Sequence, residues 1–116
     1  MEFDLEERTA KLGETVIDLV KTMKLSPINS RIINQLVGST GSIGANYCEA
    51  TESESKKDFI HKMGIARKEI KETLHWLRLL ARAENDSKEK IREVYSETKQ
   101  ILLIFSKIIR SSKLKI

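Results

Sequence analysis

The spacing of apolar residues predicts α-helices at both ends of the chain. Near the N-terminus, apolar residues and a threonine recur at steps of four and three, at Leu5, Thr9, Leu12, Val16, Leu19 and Met23. Near the C-terminus the spacing returns, at Ile91, Tyr95, Thr98, Leu102, Phe105 and Ile109. Such steps keep residues on one face of a helix, whereas a strand alternates apolar and polar residues. No stretch of the sequence shows that alternation, so we expect an all-α fold.

Capping signals divide the chain into four helices. Ser26 and Pro27 end the first helix and begin the second, with serine as N-cap and proline in the first turn. The capping box Ser55–Asp58 opens the third helix, and the turn Asn85–Ser87 precedes the fourth. The predicted helices cover about 4–24, 27–52, 55–84 and 87–112. The short connections favour one domain over residues 1–116, an antiparallel up-down-up-down four-helix bundle.

The second predicted helix contains the least charged part of the sequence. The run from Asn34 to Cys48 carries no charge, although 33% of the chain is charged. Each interior glycine in this run costs a helix about 1 kcal/mol relative to alanine. We therefore expect close packing on nearly every side of this helix, including a subunit interface with a hydrogen-bonded polar stripe. The predicted interface and packing residues are Gln35, Gly38, Ser39, Gly41, Ser42, Gly44, Asn46 and Glu49.

A phosphate-binding glycine loop is the alternative explanation for this run. Such a loop follows a strand and needs either G-x-G-x-x-G or the lysine of a P-loop. Here the glycines are spaced by three within a predicted helix, and no lysine or arginine lies between Arg31 and Lys56. Helix packing is therefore the better interpretation.

Charge is distributed unevenly along the chain. The net charge is +4, but residues 1–23 carry −3, residues 24–52 carry 0, residues 53–84 carry +3 and residues 85–116 carry +4. At helical spacing, the bases of the third and fourth helices form a stripe on each helix. These candidate nucleic-acid-binding residues are Lys56, Arg67, Lys71, Arg78, Arg82, Lys88, Arg92, Lys99, Arg110 and Lys113. The ordinary alternative is a solvated face, partly paired with the acidic first helix of a neighbouring subunit.

The motifs with catalytic or metal-binding residue types do not form a complete site. Glu72–His75 and Asp58–His61 match or approach the Glu-x-x-His motif of di-iron bundles, which take ligands from four helices. Both lie on one predicted helix, so we interpret them as an acidic stripe. Cys48 is the only cysteine and has no adjacent histidine, which is typical of an inert thiol. We expect a non-enzymatic protein without metal or cofactor.

The sequence gives no sign of a membrane or secreted protein. The longest apolar stretch, Ile101–Phe105, is too short to cross a bilayer, and no signal peptide opens the chain. We expect a cytoplasmic protein with no membrane partner.

Two long motifs resemble a known family. QLVGSTGSIGANYCEA begins at Gln35, and SESKKDFIHKMGIARKEIKETLHWLRLL begins at Ser53. They resemble the four-helix-bundle proteins encoded in intervening sequences of bacterial large-subunit rRNA genes. The positions that match the family pattern are Gln35, Leu36, Ser39, Ser42, Ile43, Ala45, Asn46, Glu49, Ala50, Ser55, Asp58, Phe59, Ile60, Ile65, Ala66, Lys68, Glu69, Glu72, Thr73, Trp76 and Leu77. Tyr47 and Cys48 depart from it.

The resemblance implies an antiparallel four-helix bundle that assembles as a ring-like homo-oligomer, a homopentamer. The chain is also similar to the accessory variability proteins of retroelements, basic bundles that act beside a reverse transcriptase. The resemblance therefore adds weight to RNA or DNA as a partner, and it brings no catalytic residues.

Two functions follow as hypotheses. The first is a helical oligomer that presents basic surface to RNA or DNA. Because Trp76, Tyr95 and Tyr47 are too scattered to stack bases, that binding would be non-specific or guided by shape. The second is a scaffold that docks a partner protein, with no direct nucleic-acid role.

Overall fold

In the computed structural model, which describes residues 4–115, the chain folds into four α-helices. They are α1 (Leu5–Val20), α2 (Asn29–Thr51), α3 (Lys56–Ala83) and α4 (Lys88–Leu114), with a 3₁₀ turn at Asn85–Ser87 before α4. No residue of the described range belongs to a β-strand. The all-α class expected from the apolar spacing is confirmed.

The helices pack side by side as a bundle with extents of 48 × 25 × 19 Å. α2 packs against α1 and α3, and α4 packs against α3 and α1, so each helix has two neighbours. The contact between α2 and α3 is the most extensive, and that between α1 and α4 is the least. The bundle is therefore most open where α1 meets α4.

Each helix buries one stripe of apolar side chains in a shared core. The largest fully buried side chains come from all four helices, and they include Val16, Leu36, Ile43, Met63, Ile70, Leu77, Ile101 and Phe105. Burial of one such side chain contributes about 1.5–3 kcal/mol. The stripe predicted on α1 is buried at Leu5, Thr9, Leu12 and Val16, whereas on α4 Tyr95 and Leu102 are only half-buried.

The connection between α1 and α2 differs from the prediction. α1 ends at Val20 rather than near residue 24, and α2 begins at Asn29 rather than at Pro27. Ser26 Oγ accepts a hydrogen bond from the Asn29 backbone N–H at 3.1 Å, and Asn29 Oδ1 accepts one from the Ser26 N–H at 2.8 Å. This reciprocal pair is a capping box, and the Ser30 N–H donates to the Ser26 carbonyl at 3.0 Å, so Ser26 caps the start of α2 as the sequence predicts.

Asn29 ties this connection to the far end of α3. Its side chain is fully buried. Its Nδ2 donates to the Lys24 carbonyl at 3.0 Å and to Glu84 Oε2 at 2.8 Å. A buried polar group left without a partner costs about 1–3 kcal/mol, so these bonds fix where α2 starts relative to the end of α3.

The three glycines of the uncharged run have different surroundings. A Cβ on Gly44 would lie 3.2 Å from Thr9 Oγ1 of α1, whereas a Cβ on Gly38 or Gly41 would meet nothing within 4 Å. Within one chain, only Gly44 allows a close approach between helices. Close packing at Gly38 and Gly41 therefore stays a prediction that depends on a second subunit.

We expect Gly44→Leu to lower the thermal stability of the protein. The larger side chain would push α1 from α2 or leave its preferred rotamer, at about 1–3 kcal/mol. Gly64→Ala is the matched control, because it adds a Cβ in open space and should stabilise α3 by about 0.5–1 kcal/mol. Thermal unfolding by circular dichroism measures both. An unchanged midpoint for Gly44→Leu would show that α1 and α2 do not depend on this approach.

Candidate nucleic-acid interface

The two basic stripes lie on the two sides of one surface, where α3 and α4 meet. Lys56, at the start of α3, donates from Nζ to the Lys115 carbonyl, just after α4, at 3.2 Å. Lys56 and Lys113 line the same shallow pocket. Arg67 and Arg110 line the next one, together with Lys113. We call this surface, with its ten candidate bases, the α3/α4 seam.

Helical spacing extends the seam along both helices. Residues three, four, seven or eleven apart share a face of an α-helix. Lys71, Arg78 and Arg82 therefore continue from Arg67 along α3. Likewise Lys99, Arg92 and Lys88 continue from Arg110 along α4. Nine of the ten side chains are exposed, and Arg67 is half-buried.

Few acids neutralise these bases. On α3 the carboxylates of Asp58, Glu69 and Glu72 lie on the opposite side of the helix from the basic stripe, by the same spacing. Among the residues that the structure describes, Arg92 is the only seam base with an ion-pair partner, Glu89, at 3.4 Å. That pair is exposed and contributes little. The seam therefore carries a concentrated positive charge.

Aromatic side chains do not form a stacking surface on the seam. Tyr95 lies at seam spacing on α4 but is half-buried. Trp76 is on the far side of α3 and packs edge-on against His75, with ring centroids 5.0 Å apart. Tyr47 packs against Phe105, with ring centroids 5.6 Å apart, and burial raises the pKa of its hydroxyl. The seam thus offers charge rather than stacked rings.

The polar stripe of α2 faces α3 of the same chain. Ser39 is buried, and its Oγ lies 2.8 Å from Thr73 Oγ1. Glu49 pairs with Lys62 of α3 at 2.6 Å. Asn46 Nδ2 donates to the Ser42 carbonyl at 2.8 Å. Ser39, Glu49 and Asn46 thus have partners within one chain, and Gln35 is exposed.

A third side of α2 points away from the bundle. We call it the α2 outer face, and it comprises Asn34, Gly38, Gly41, Ala45 and Cys48, all exposed. This face has no charged side chain between Arg31 and Glu49. Ile17, on the neighbouring helix α1, is 45% exposed. The cover expected from sequence is not supplied by the described part of this chain, so a covering subunit stays a prediction.

Sequence reasoning missed a groove between α1 and α4. Its volume is about 720 Å³, and Leu12, Leu19 and Val94 are among its apolar lining residues. Arg8 and Glu97 also line it, with Arg8 Nε 2.7 Å from Glu97 Oε2 and Arg8 Nη2 3.0 Å from Glu97 Oε1. This hydrogen bonding raises the pKa of Arg8. The groove forms at the least extensive helix contact, which residue spacing does not reveal.

Residues 4–115 contain no group of three or more His, Cys, Asp or Glu side chains placed to hold a metal ion. His61 and His75 are exposed on α3, and Cys48 is exposed on α2. None of the helices in this range is both long and apolar enough to span a bilayer.

The comparisons with known proteins identify the family. The chain belongs to the 23S rRNA-intervening sequence protein family, whose model matches residues 1–107. It is also similar to a crystal structure of a protein with unknown function from the S23 ribosomal protein family of Bacteroides thetaiotaomicron. The two share 30% identity over 90% of this chain and 96% of that chain, with a TM-score of 0.78. No curated protein matches. The family expected from the two motifs is confirmed.

Glu69 is the acid whose environment most affects the pH dependence of stability. It precedes Thr73 by one helical turn, on the side of α3 that meets α2. Burial raises the pKa of its carboxyl above the ordinary 4.5, and the charge of Glu72 raises it further. The folded state therefore holds this proton more tightly than the unfolded state, and stability falls as pH rises from 4.5 through the raised pKa.

We expect Glu69→Gln to stabilise the protein at neutral pH, because the variant buries no charge there. The gain over the wild type should shrink as pH falls below the ordinary pKa of glutamate, since the wild-type carboxyl is then protonated. The denaturant midpoints of the variant and the wild type at pH 4 and pH 7 measure this gain in stability. Glu54→Gln, at an exposed position, controls for the loss of one negative charge. An equal gain in stability at pH 4 and pH 7 would show that burial of the charged Glu69 carboxylate is not its cause.

Proposed function

We propose that this protein is a non-enzymatic homo-oligomer that binds nucleic acid through the α3/α4 seam. RNA is the first ligand that we propose. The observation that carries the proposal is the convergence of two basic stripes on one surface, with one acid partner among ten bases. Phosphate contacts release condensed counterions, so such a surface binds without reading bases. The family description, which names a sequence intervening in 23S rRNA, supports RNA as the first ligand to test.

We also propose the antiparallel order of the helices, which three contacts between α2 and α3 support. Asn29, at the start of α2, bonds Glu84, just after α3. Ser39 bonds Thr73 in the middle. Glu49, near the end of α2, pairs with Lys62, near the start of α3.

The proposed oligomer is a ring, a homopentamer as the family resemblance implies. The α2 outer face supports it, because an exposed helix face in so charged a protein normally carries lysine or glutamate. Small side chains there let a second helix approach closely. A ring would also repeat the seam once per subunit, which strengthens binding through avidity without new contacts.

We expect Arg78→Glu with Arg82→Glu to weaken RNA binding strongly while the oligomer stays intact. Reversing two phosphate-binding charges should lower affinity by about tenfold or more at low salt. Lys21→Glu with Lys24→Glu is the matched control, because it makes the same change in net charge at exposed positions off the seam and off the α2 outer face. Gel shifts across salt concentrations and light scattering measure binding and mass. If the wild type binds no RNA at low salt, or the seam variant binds as well as the control, the proposal fails.

A second prediction tests the oligomer. Gly41→Leu should leave the chain folded, since a Cβ at this position meets nothing within the chain, but it should lower the oligomer mass. Circular dichroism reports whether the chain is folded, and light scattering reports the mass of the oligomer. Gly64→Leu, on α3 and equally open, is the control and should keep the native mass. A Gly41→Leu protein of native mass would show that this face points into solvent.

The α1/α4 groove favours a second candidate function, docking of a partner protein. Its apolar lining could receive an amphipathic helix. The RNA-binding experiment separates the two, because a protein that binds no RNA at low salt leaves docking as the better explanation.

A further inference from the structure

We infer that the α3/α4 seam takes a double-stranded nucleic acid and contacts phosphates of both strands, rather than a single strand. This inference rests on the proposed function and specifies its ligand. It follows from the arrangement of the basic residues in two rows, one on each helix, and from the lack of a surface between the rows on which nucleobases could stack.

The two rows run along the same length of the bundle. At one end Lys56 bonds the carbonyl of Lys115, which follows α4, and shares a pocket with Lys113. At the other end Arg82 and Lys88 flank the short turn Asn85–Ser87. The rows therefore face each other from end to end across the seam.

The spacing of the rows suits two strands. Packed helix axes lie about 8–10 Å apart, and the two rows line shared pockets at Lys56 with Lys113 and at Arg67 with Arg110, so their separation is of that order. The grooves of a duplex are bordered by phosphates of two strands, with widths of about 6 and 12 Å in B-DNA. A single strand offers one line of phosphates and would leave one row without a partner.

The rigidity of the two helices also favours a duplex. α3 has 28 residues and α4 has 27, so at 1.5 Å per residue each row is set on a rod of about 40 Å. A duplex is stiff over such lengths. It can meet the rod without losing conformational freedom, whereas a flexible single strand would have to be ordered along it.

Single-strand binding normally draws on base stacking, which the seam does not offer. Proteins that bind single strands combine a basic groove with aromatic side chains on which bases stack. At seam spacing, the aromatic rings between Lys56 and Lys113 are Tyr95, which is half-buried, and His75, which is exposed but packs edge-on against Trp76 on the far side of α3. The pocket beside Lys56 and Lys113 is completed by Lys57 and Ile60. Phosphates are the groups that this surface can hold.

The test compares ligands with equal numbers of phosphates. The probes are an RNA duplex of about 20 base pairs, an unstructured RNA strand of about 40 nucleotides, and a DNA duplex of about 20 base pairs, which at about 3.4 Å per pair is longer than the seam. All are measured at one salt concentration with the full chain. We expect the RNA duplex to bind about tenfold tighter than the single strand. The DNA duplex shows which feature the seam recognises. If the RNA duplex binds more tightly than the DNA duplex, the seam recognises A-form geometry, and if the two bind equally, it recognises phosphates alone. Either result supports the inference.

Variants of each row complete the test. Arg78→Glu with Arg82→Glu alters the α3 row, and Lys88→Glu with Arg92→Glu alters the α4 row. Each should weaken duplex binding by about tenfold, while Lys21→Glu with Lys24→Glu should not. Duplex binding that survives reversal of either row would overturn the inference.

Failure of the inference and failure of the proposed function give different results. If the single strand binds as tightly as the duplex, and this binding is lost in the Arg78→Glu, Arg82→Glu variant, the seam binds nucleic acid but not as inferred. If none of the three probes binds at low salt, the proposed function itself is wrong.

Discussion

The packing of α2 between α1 and α3 is the constraint on which the rest of the structure depends. α1 approaches at Gly44, where a Cβ would lie 3.2 Å from Thr9 Oγ1. α3 approaches at Ser39, whose hydroxyl lies 2.8 Å from that of Thr73. Neither contact leaves room for a long side chain, and a charge placed there would lose its hydration. At these two contacts α2 is therefore closed to lysine and glutamate by the fold of the single chain.

The third side of α2 has no such explanation within the chain. Gly38 and Gly41 are exposed, and a Cβ on either would meet nothing within 4 Å, yet each lowers helix propensity by about 1 kcal/mol relative to alanine. A solvated face would gain by replacing them with alanine, lysine or glutamate. The proposed coverage by a second subunit would account both for the missing charge and for the small side chains. The contacts with α1 and α3 and this proposed cover would together account for the uncharged run from Asn34 to Cys48.

Much of the fold could be predicted from the sequence because periodicity and caps are local signals. Ser55 caps α3 by accepting from the Asp58 N–H at 3.0 Å, as its capping box predicts. Ser26 likewise caps α2 through its reciprocal bonds with Asn29, whereas α1 ends at Val20 rather than near residue 24, where its apolar spacing continues. Periodicity identifies the stripes on a helix but not the neighbour that each stripe meets. Within one chain Ser39 and Glu49 of the polar stripe bond α3, and a subunit interface along this stripe stays a prediction.

The same limit explains why the candidate site could be predicted only in parts. The ten bases could be found as two separate stripes, but only the packing of α3 on α4 shows that they border one seam. The packing also separates the seam from the α2 outer face, since α2 and α4 are not neighbours and lie across the core from each other. A subunit that docked on the α2 outer face would leave the seam open. Assembly and nucleic-acid binding would then use different sides of one bundle, and neither would have to displace the other.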